Sequence, residues 1–275
     1  MSVEHLLLEG YLKQLHLPSF GKHYRAFAED AARSQQTYAS YLLALANQEL
    51  QERDHKRQHQ RIQAAKFPRL KELTDFHFAA IPTLNMPRIL ALARGEYIQK
   101  AEPIILVGQP GLGKTHIAIG LALEACRQLQ RVRFYQAAGL VNELLTAQEN
   151  RRLDKFIATA LRQHVIVIDE LGFIPFSTLG AQLIFQFCAA LYERVALILT
   201  TNLKFADWTQ VFGDEKLTLA LLDRLTHRAH ILEFSGESYR FKQRFTQSLS
   251  QEVAYDLAQP TPTAPEPKAE PAENP

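Results

Sequence analysis

The chain has 275 residues, room for one or two domains, and 31 Lys and Arg against 29 Asp and Glu give a net charge of +2. That balance excludes a histone-like or polybasic tail protein but leaves regional charge segregation open. At 47% hydrophobic the chain can bury a sizeable core, and no apolar run approaches the roughly 18 residues of a membrane span.

The first helix is predicted from Leu8, Leu12 and Leu15 at helical spacing, ended by Pro18. Glu4 stands where a signal peptide carries basic residues, so no export signal is read and a cytoplasmic setting is expected. Ser19 is expected to cap a second helix with Phe20, Tyr24, Phe27 and Ala31 on one face. Thr37 caps a third, with Tyr38, Leu42, Leu45 and Ala46 at core spacing. The run Gln51–Arg61 then has no apolar residue, yet every member tolerates helix. From here Arg53, Lys56, Arg57, Arg61, Lys66, Arg69 and Lys71 face a single acid, Asp54. Such a stripe fits either phosphate binding or an ordinary solvated helix face.

From residue 103 short apolar runs alternate with helical patterns. Strands are expected at 103–108, 132–137, 164–169, 195–202 and 229–234. Helices are expected at 115–129, from Gly139 to Gln148, at 178–194 and at 217–228. Nearly all-apolar strands separated by helices predict an α/β fold with a parallel sheet covered on both faces. Cys126 and Cys188 lie in apolar stretches and read as buried thiols rather than a disulfide or metal pair. Residues 258–275 hold six prolines and a net charge of −2, a composition that predicts disorder. The expected organisation is a helical domain at 1–66, an α/β domain at 67–247 and an extension at 248–275.

Gly108, Gln109, Pro110, Gly111, Leu112, Gly113, Lys114 and Thr115 satisfy G-x-x-x-x-G-K-[ST], between a predicted strand and a predicted helix, with His116 following. Glycines let backbone N–H groups turn inward around phosphates, and the following helix adds its positive end. Lys114 is expected to reach the β- and γ-phosphates and Thr115 to ligate Mg²⁺. A tight strand-to-helix turn would explain the glycines but not the Lys-Thr pair. No N-K-x-D sequence for guanine is present, which favours ATP.

Asp169 and Glu170 end the strand HVIVID, at the edge where open α/β sheets bind ligands. Asp169 is expected to hold the Mg²⁺ shell and Glu170 to polarise the attacking water. Thr200, Thr201 and Asn202 end the next strand, and Asn202 is the expected group to orient water or γ-phosphate. Loop capping is the competing role for Asn202.

The segments GQPGLGKTH, VIVIDELGFIPF, AAKFPRLKELTDFHF and LILTTNLKFADWTQVFGDEKLTLALLDRLTHRAHILEFSGESYRF together resemble IstB-type transposition helper ATPases of bacterial insertion sequences, a branch of the AAA+ family related to DnaC-type helicase loaders. The resemblance spans nearly the whole chain except the tail. It implies ATP bound between subunits of a homo-oligomer, assembly on duplex DNA, and recruitment of an IstA-type transposase. It also implies an arginine finger, for which Arg224 in LLDRLTHR is the matching position and Arg228 the weaker one; a surface arginine on an amphipathic helix is the competing reading. Little sequence follows AHILEF before the tail, so the helical lid of that family is expected to be reduced or absent, with Arg240 only a candidate for a lid arginine. Phe76 and Phe78 are read either as base contacts or as core residues, and Trp208 as core. A DnaC-like helicase loader is the main alternative. A small-molecule kinase is disfavoured because Glu170 suits water as acceptor.

Overall fold

The computed structural model describes residues 3–236. Expectations for the lid, for Arg240 and for the proline-rich tail fall outside the described residues.

Three helices come first: α1 (Val3–Gln14), α2 (Pro18–Arg33) and α3 (Tyr38–Ala65). Their small core is Leu12, Tyr24 and Leu45, with Phe20, Phe27 and Tyr41 packed around it. Thr37 caps α3 by accepting from Ser40 N, as expected. Two local expectations fail. Pro18 does not end α1 but opens α2, in the first turn where its missing N–H costs no hydrogen bond. Ser19 is therefore inside α2, and instead of capping it ties α2 to α3: its backbone N donates to Glu49 Oε2 at 2.9 Å and its hydroxyl to Glu52 Oε2 at 3.1 Å. The apolar face expected on α3 is also thinner than its spacing suggested. Tyr38 is 94% exposed and Leu42 57% exposed, and only Leu45 of that set is buried, against Tyr24 of α2 and Leu12 of α1.

The second half of α3 meets a different core. Gln58 Nε2 donates to the Arg127 carbonyl at 2.9 Å, and Ile62 and Ala65 join the apolar face beneath the sheet. One 28-residue helix thus runs from the small bundle to the α/β unit and ends at Ala65. Two elements were not expected from the sequence, α4 (Met86–Ala93) and the single turn α5 (Glu96–Gln99), which follow short 3-10 turns at Leu73–Asp75 and Phe78–Ala80.

The α/β unit runs β1 (Ile104–Gly108), α6 (Lys114–Arg127), β2 (Val132–Gln136), α7 (Ala137–Glu149), α8 (Leu153–Ala160), β3 (Val165–Asp169), α9 (Thr178–Leu191), β4 (Ala196–Thr201), α10 (Thr209–Phe212), α11 (Glu215–Thr226) and β5 (His230–Phe234). The expected strands are all present within a residue or two; α8 was not foreseen. All five strands are parallel, in the order β2-β3-β4-β1-β5. Alternate residues feed two cores, as the two-residue period of a strand requires. Ile104, Leu106, Val165, Val167, Ala196 and Ile198 face α6 and the end of α3. Ile105, Ile166, Ile168, Leu197 and Leu199 face α7, α9 and α11. Trp208 is 1% exposed within the second core, as expected. Cys126 and Cys188 are free and buried, and burial pushes each thiol up to about 12. Among the described residues no helix is long and apolar enough to cross a membrane.

Candidate functional site

The strand order decides the site. β4 inserts between β1, which leads into the phosphate loop, and β3, which ends in the acidic pair. In register, Leu106 sits beside Thr200 and Ile168 beside Leu199, so the next step brings Thr200 beside Asp169.

The loop 108–113 turns through residues with positive φ: Gly108 at 152°, Gly111 at 85° and Gly113 at 83°. A Cβ on Gly108 would lie 2.1 Å from the Phe234 carbonyl oxygen, and one on Gly113 would lie 2.6 Å from the Phe76 ring. Only glycine allows both the backbone turn and these approaches. Lys114 opens α6 and is 8% exposed; its Nζ donates to the carbonyls of Gly108 at 2.6 Å and Gln109 at 2.8 Å. Those loop carbonyls solvate a buried ammonium that would otherwise be costly.

Thr115 Oγ1 donates to Asp169 at 2.9 Å and 3.1 Å from its two carboxylate oxygens. Thr200 Oγ1 donates to Asp169 Oδ1 at 2.6 Å and accepts from Glu170 N at 2.9 Å. The Thr200 carbonyl accepts from Leu171 N at 2.9 Å. Glu170 sits at φ 59°, a conformation that costs an ordinary residue about 1 kcal/mol and persists where surrounding bonds over-determine it. Its carboxylate Oε2 accepts from Gln136 Nε2, at the end of β2, at 2.6 Å. Asp169 is held above the ordinary carboxylate range: burial raises it, the hydroxyls of Thr200 and Thr115 oppose, Glu170 raises it further and Lys114 pulls it down.

Of these groups, Lys114, Thr115, Glu170 and Thr200 line a cavity of about 540 Å³. The loop from Pro110 to His116, Glu170, Thr200, Thr201 and Asn202 form one side, and Arg69, Lys71, Phe76, His77 and Ile81 the other. The structure therefore brings Lys114, Thr115, Glu170 and Asn202 together around one space, with buried Asp169 at its edge behind Thr115. Arg69 and Lys71, members of the basic stripe in sequence, open onto this same space. Phe76 packs edge-on to Phe78 at 4.9 Å, under Gly113, and lines the cavity. Phe78 packs against the core. His116 Nε2 donates to the Glu72 carbonyl at 2.7 Å, fastening the 72–78 segment onto α6. Gln136 and the bridging role of Thr200 were missed from sequence; Thr200 was visible only as one polar residue among three at a strand end.

The fit to a nucleotide and its Mg²⁺ can be judged from these features. The glycine turn, held in left-handed and extended positive-φ conformations, lies at the positive end of a 14-residue helix. The Thr115 hydroxyl and Asp169 carboxylate are hard oxygen donors, a set that suits Mg²⁺ sharing its remaining positions with phosphate and water. Among the described residues no cluster of three or more His, Cys, Asp or Glu is placed to hold a metal with protein ligands alone. The residues present thus fit a nucleotide that brings its own Mg²⁺.

Arg224 lies elsewhere. Its Nη1 donates to the Ala220 carbonyl at 2.9 Å and its guanidinium stacks over Phe185, 5.1 Å from the ring centre. It lines a small recess with Ala101, Pro103, Val195 and Arg228, the residues that lead into β1, β4 and β5. That is the opposite edge of the sheet from the phosphate loop, a full strand of roughly 16 Å away. Arg224 and the phosphate loop of the same chain thus line separate recesses.

The basic stripe divides. Arg53 Nε donates to Glu49 Oε1 at 2.7 Å, and its Nη2 to the His16 carbonyl, closing the helical bundle. Arg57 pairs with Asp54 at 3.5 Å. Lys56 is exposed beside Arg53, Lys66 caps α3 in the left-handed region, and Arg61 faces β2.

A family model of IstB-like ATP binding proteins matches residues 10–247. The ATP-binding protein of insertion sequence IS5376 from Geobacillus stearothermophilus is 34% identical over 241 residues, 88% of this chain and 96% of the relative. That of insertion sequence IS21 from Pseudomonas aeruginosa is 34% identical over 237 residues, 86% of this chain and 89% of the relative. Among solved structures, DnaI superposes with a TM-score of 0.50 at 17% identity, over 60% of this chain and 91% of that one.

Proposed function

Because the chain belongs to the family of IstB-like ATP-binding proteins of insertion sequences, we propose that it is an ATPase that oligomerises on duplex DNA and recruits and stimulates its partner transposase there. The observation that carries the hydrolytic part is the contact of Thr115 with Asp169 at 2.9 Å, with Glu170 beside it facing the same cavity.

In this reading the loop N–H groups and the start of α6 bind the phosphates of ATP, and Lys114 turns from its two carbonyls to the β- and γ-phosphates. Thr115 and Asp169 would hold Mg²⁺, which would neutralise charge on the phosphoryl oxygens. Glu170 polarises the water that attacks the γ-phosphorus, giving ADP and phosphate. Thr200 keeps Asp169 and the Glu170 backbone in place. Asn202 is proposed to orient the water or γ-phosphate. Arg69 and Lys71, opening on the cavity, are proposed to face the nucleotide rather than DNA. The distance between Arg224 and its own phosphate loop supports a site completed by a second copy. In other phosphoryl-transfer systems an arginine supplied from a partner raises the rate by about 10³–10⁵.

The helicase-loader alternative draws on a 17% identical structure and so on fold alone, whereas the insertion-sequence relatives are 34% identical over nearly their whole length. The test is duplex-DNA binding with and without ATP, across salt, using Lys114→Ala as the nucleotide-free reference. ATP-promoted, salt-sensitive duplex binding that is lost in Lys114→Ala is expected. Indifference to ATP and salt, or capture of a replicative helicase but no transposase, would overturn the reading.

A further inference from the structure

We infer that Arg61, Arg131 and Arg133 form a track for the phosphate backbone of duplex DNA, in the groove where α3 crosses the edge strand β2. The inference rests on the proposed reading of the chain as a DNA-binding ATPase and gives that reading a location.

The groove encloses about 380 Å³. Arg61 comes from α3, Arg131 and Arg133 from the start of β2, which is the outer strand of the sheet. Three arginines from two elements far apart in sequence thus line one groove around the outer edge of β2, and among the described residues Glu143 is the one acid on the lining. Two of the three are fixed by local partners. Arg131 Nε donates to the Arg162 carbonyl, and Arg133 lies over the Tyr135 ring at 5.1 Å. Pre-positioned guanidiniums lose less entropy on meeting an oxyanion and match phosphate geometry. The fields of Arg131 and Arg61 both reach His164, whose protonated form is disfavoured first by burial and then by these two charges. One helical turn before Arg61, Arg57 continues the line on the same side of α3.

The form of the groove favours a polyphosphate over an acidic protein. Ala64 and Ala160 keep its walls low, so a bulky backbone can approach. Its aromatics are engaged inward: Tyr135 and Phe156 both pack on Phe187 and present no pocket for an anchoring side chain. Repeated charge without a pocket suits a ligand that repeats its own charge. No residue is shared between this groove and the nucleotide cavity, so the two can be altered separately.

The test compares four forms of the full chain: wild type, Arg61→Ala/Arg131→Ala/Arg133→Ala, the same three positions changed to Lys, and a charge-matched control, Arg33→Ala/Arg88→Ala/Lys216→Ala, outside the groove. Binding of a fluorescent ATP analogue reports folding, and anisotropy of a labelled duplex from low to high salt reports DNA. The alanine triple is expected to keep analogue binding within twofold. Its slope of log affinity against log salt should become shallower by about 0.9 for each phosphate no longer neutralised, near three in all. The lysine triple and the control should stay close to wild type. If the alanine triple loses analogue binding, Arg131→Ala and Arg133→Ala are read singly, each with a slope change near one. An unchanged slope in a variant that still binds the analogue overturns the groove and leaves the wider reading standing. A wild type that binds no duplex overturns both. Displacement of the duplex by polyglutamate at lower charge concentration than by unlabelled DNA overturns the groove as a nucleic-acid track.

Discussion

The Thr200 hydroxyl donates to Asp169 across 2.6 Å while accepting from the backbone N–H of Glu170. One side chain on the central strand thus holds both carboxylate-bearing residues, one by its acid and the other by its main chain. Thr200→Val keeps the shape and removes both bonds. Hydrogen bonds to charged groups are worth about 1.5–3 kcal/mol. ATP turnover should therefore fall by about ten- to a hundredfold with nucleotide affinity nearly unchanged, and Thr200→Ser should restore it. Equal loss in kcat and in binding would assign Thr200 to packing alone.

Arg224 and Glu170 belong to one nucleotide site only if two chains contribute. Arg224→Ala should bind ATP and hydrolyse it poorly, and Glu170→Gln should bind it and turn over about 10²–10⁴ times more slowly. Mixed, the two variants can form sites with one intact Glu170 and one intact Arg224. Steady-state ATPase activity above the sum of the separate proteins is expected. Without that gain Arg224 is a structural residue stacked on Phe185.

The buried Asp169 carboxylate, raised by burial against the pull of Thr200, Thr115 and Lys114, sets a trade between stability and function. A carboxylate raised above its unfolded value stabilises the fold below the unfolded value, and that contribution is lost as pH rises through the folded one. At neutral pH the ionised group thus opposes folding. Asp169→Asn should raise the melting temperature of the nucleotide-free protein at pH 7 by about 2–4 °C if about 1 kcal/mol is relieved. The same change should abolish Mg²⁺-dependent hydrolysis. Its melting temperature should match wild type more closely as the pH falls toward that of the protonated acid. A variant less stable than wild type at pH 7 would show that the hydroxyl bonds outweigh burial.

Two glycines should respond in opposite ways to alanine. At Gly108 the new Cβ would meet the Phe234 carbonyl at 2.1 Å, a backbone atom that cannot swing aside, and the backbone is in a region alanine avoids. Gly108→Ala should cost about 1–3 kcal/mol and distort nucleotide binding. Gly10, inside α1 with nothing within 4 Å, should gain about 0.5–1 kcal/mol as alanine. Chemical denaturation of both variants checks the pair.

The sequence by itself determined the sheet, the phosphate loop and the acidic pair. Each is local: a run of apolar residues wide enough for both faces, a glycine turn before a helix, and two acids at a strand end need no distant partner to be read. Where the partner is distant, the sequence was silent or misleading. Ser19 looked like a cap until Pro18 took the first turn and Glu49 and Glu52, thirty residues on, claimed its polar groups. Tyr38 and Leu42 had core spacing but no element among the described residues covers them. Seven basic residues that form one stripe in sequence became a bundle clasp at Arg53, a groove wall at Arg61 and a cavity wall at Arg69 and Lys71. Asn202 stood out as the polar residue that closes its run, yet Thr200 is the one bonded to Asp169. Only the insertion of β4 between β1 and β3 decides that, because parallel pairing joins strands whose order in space the chain order does not reveal.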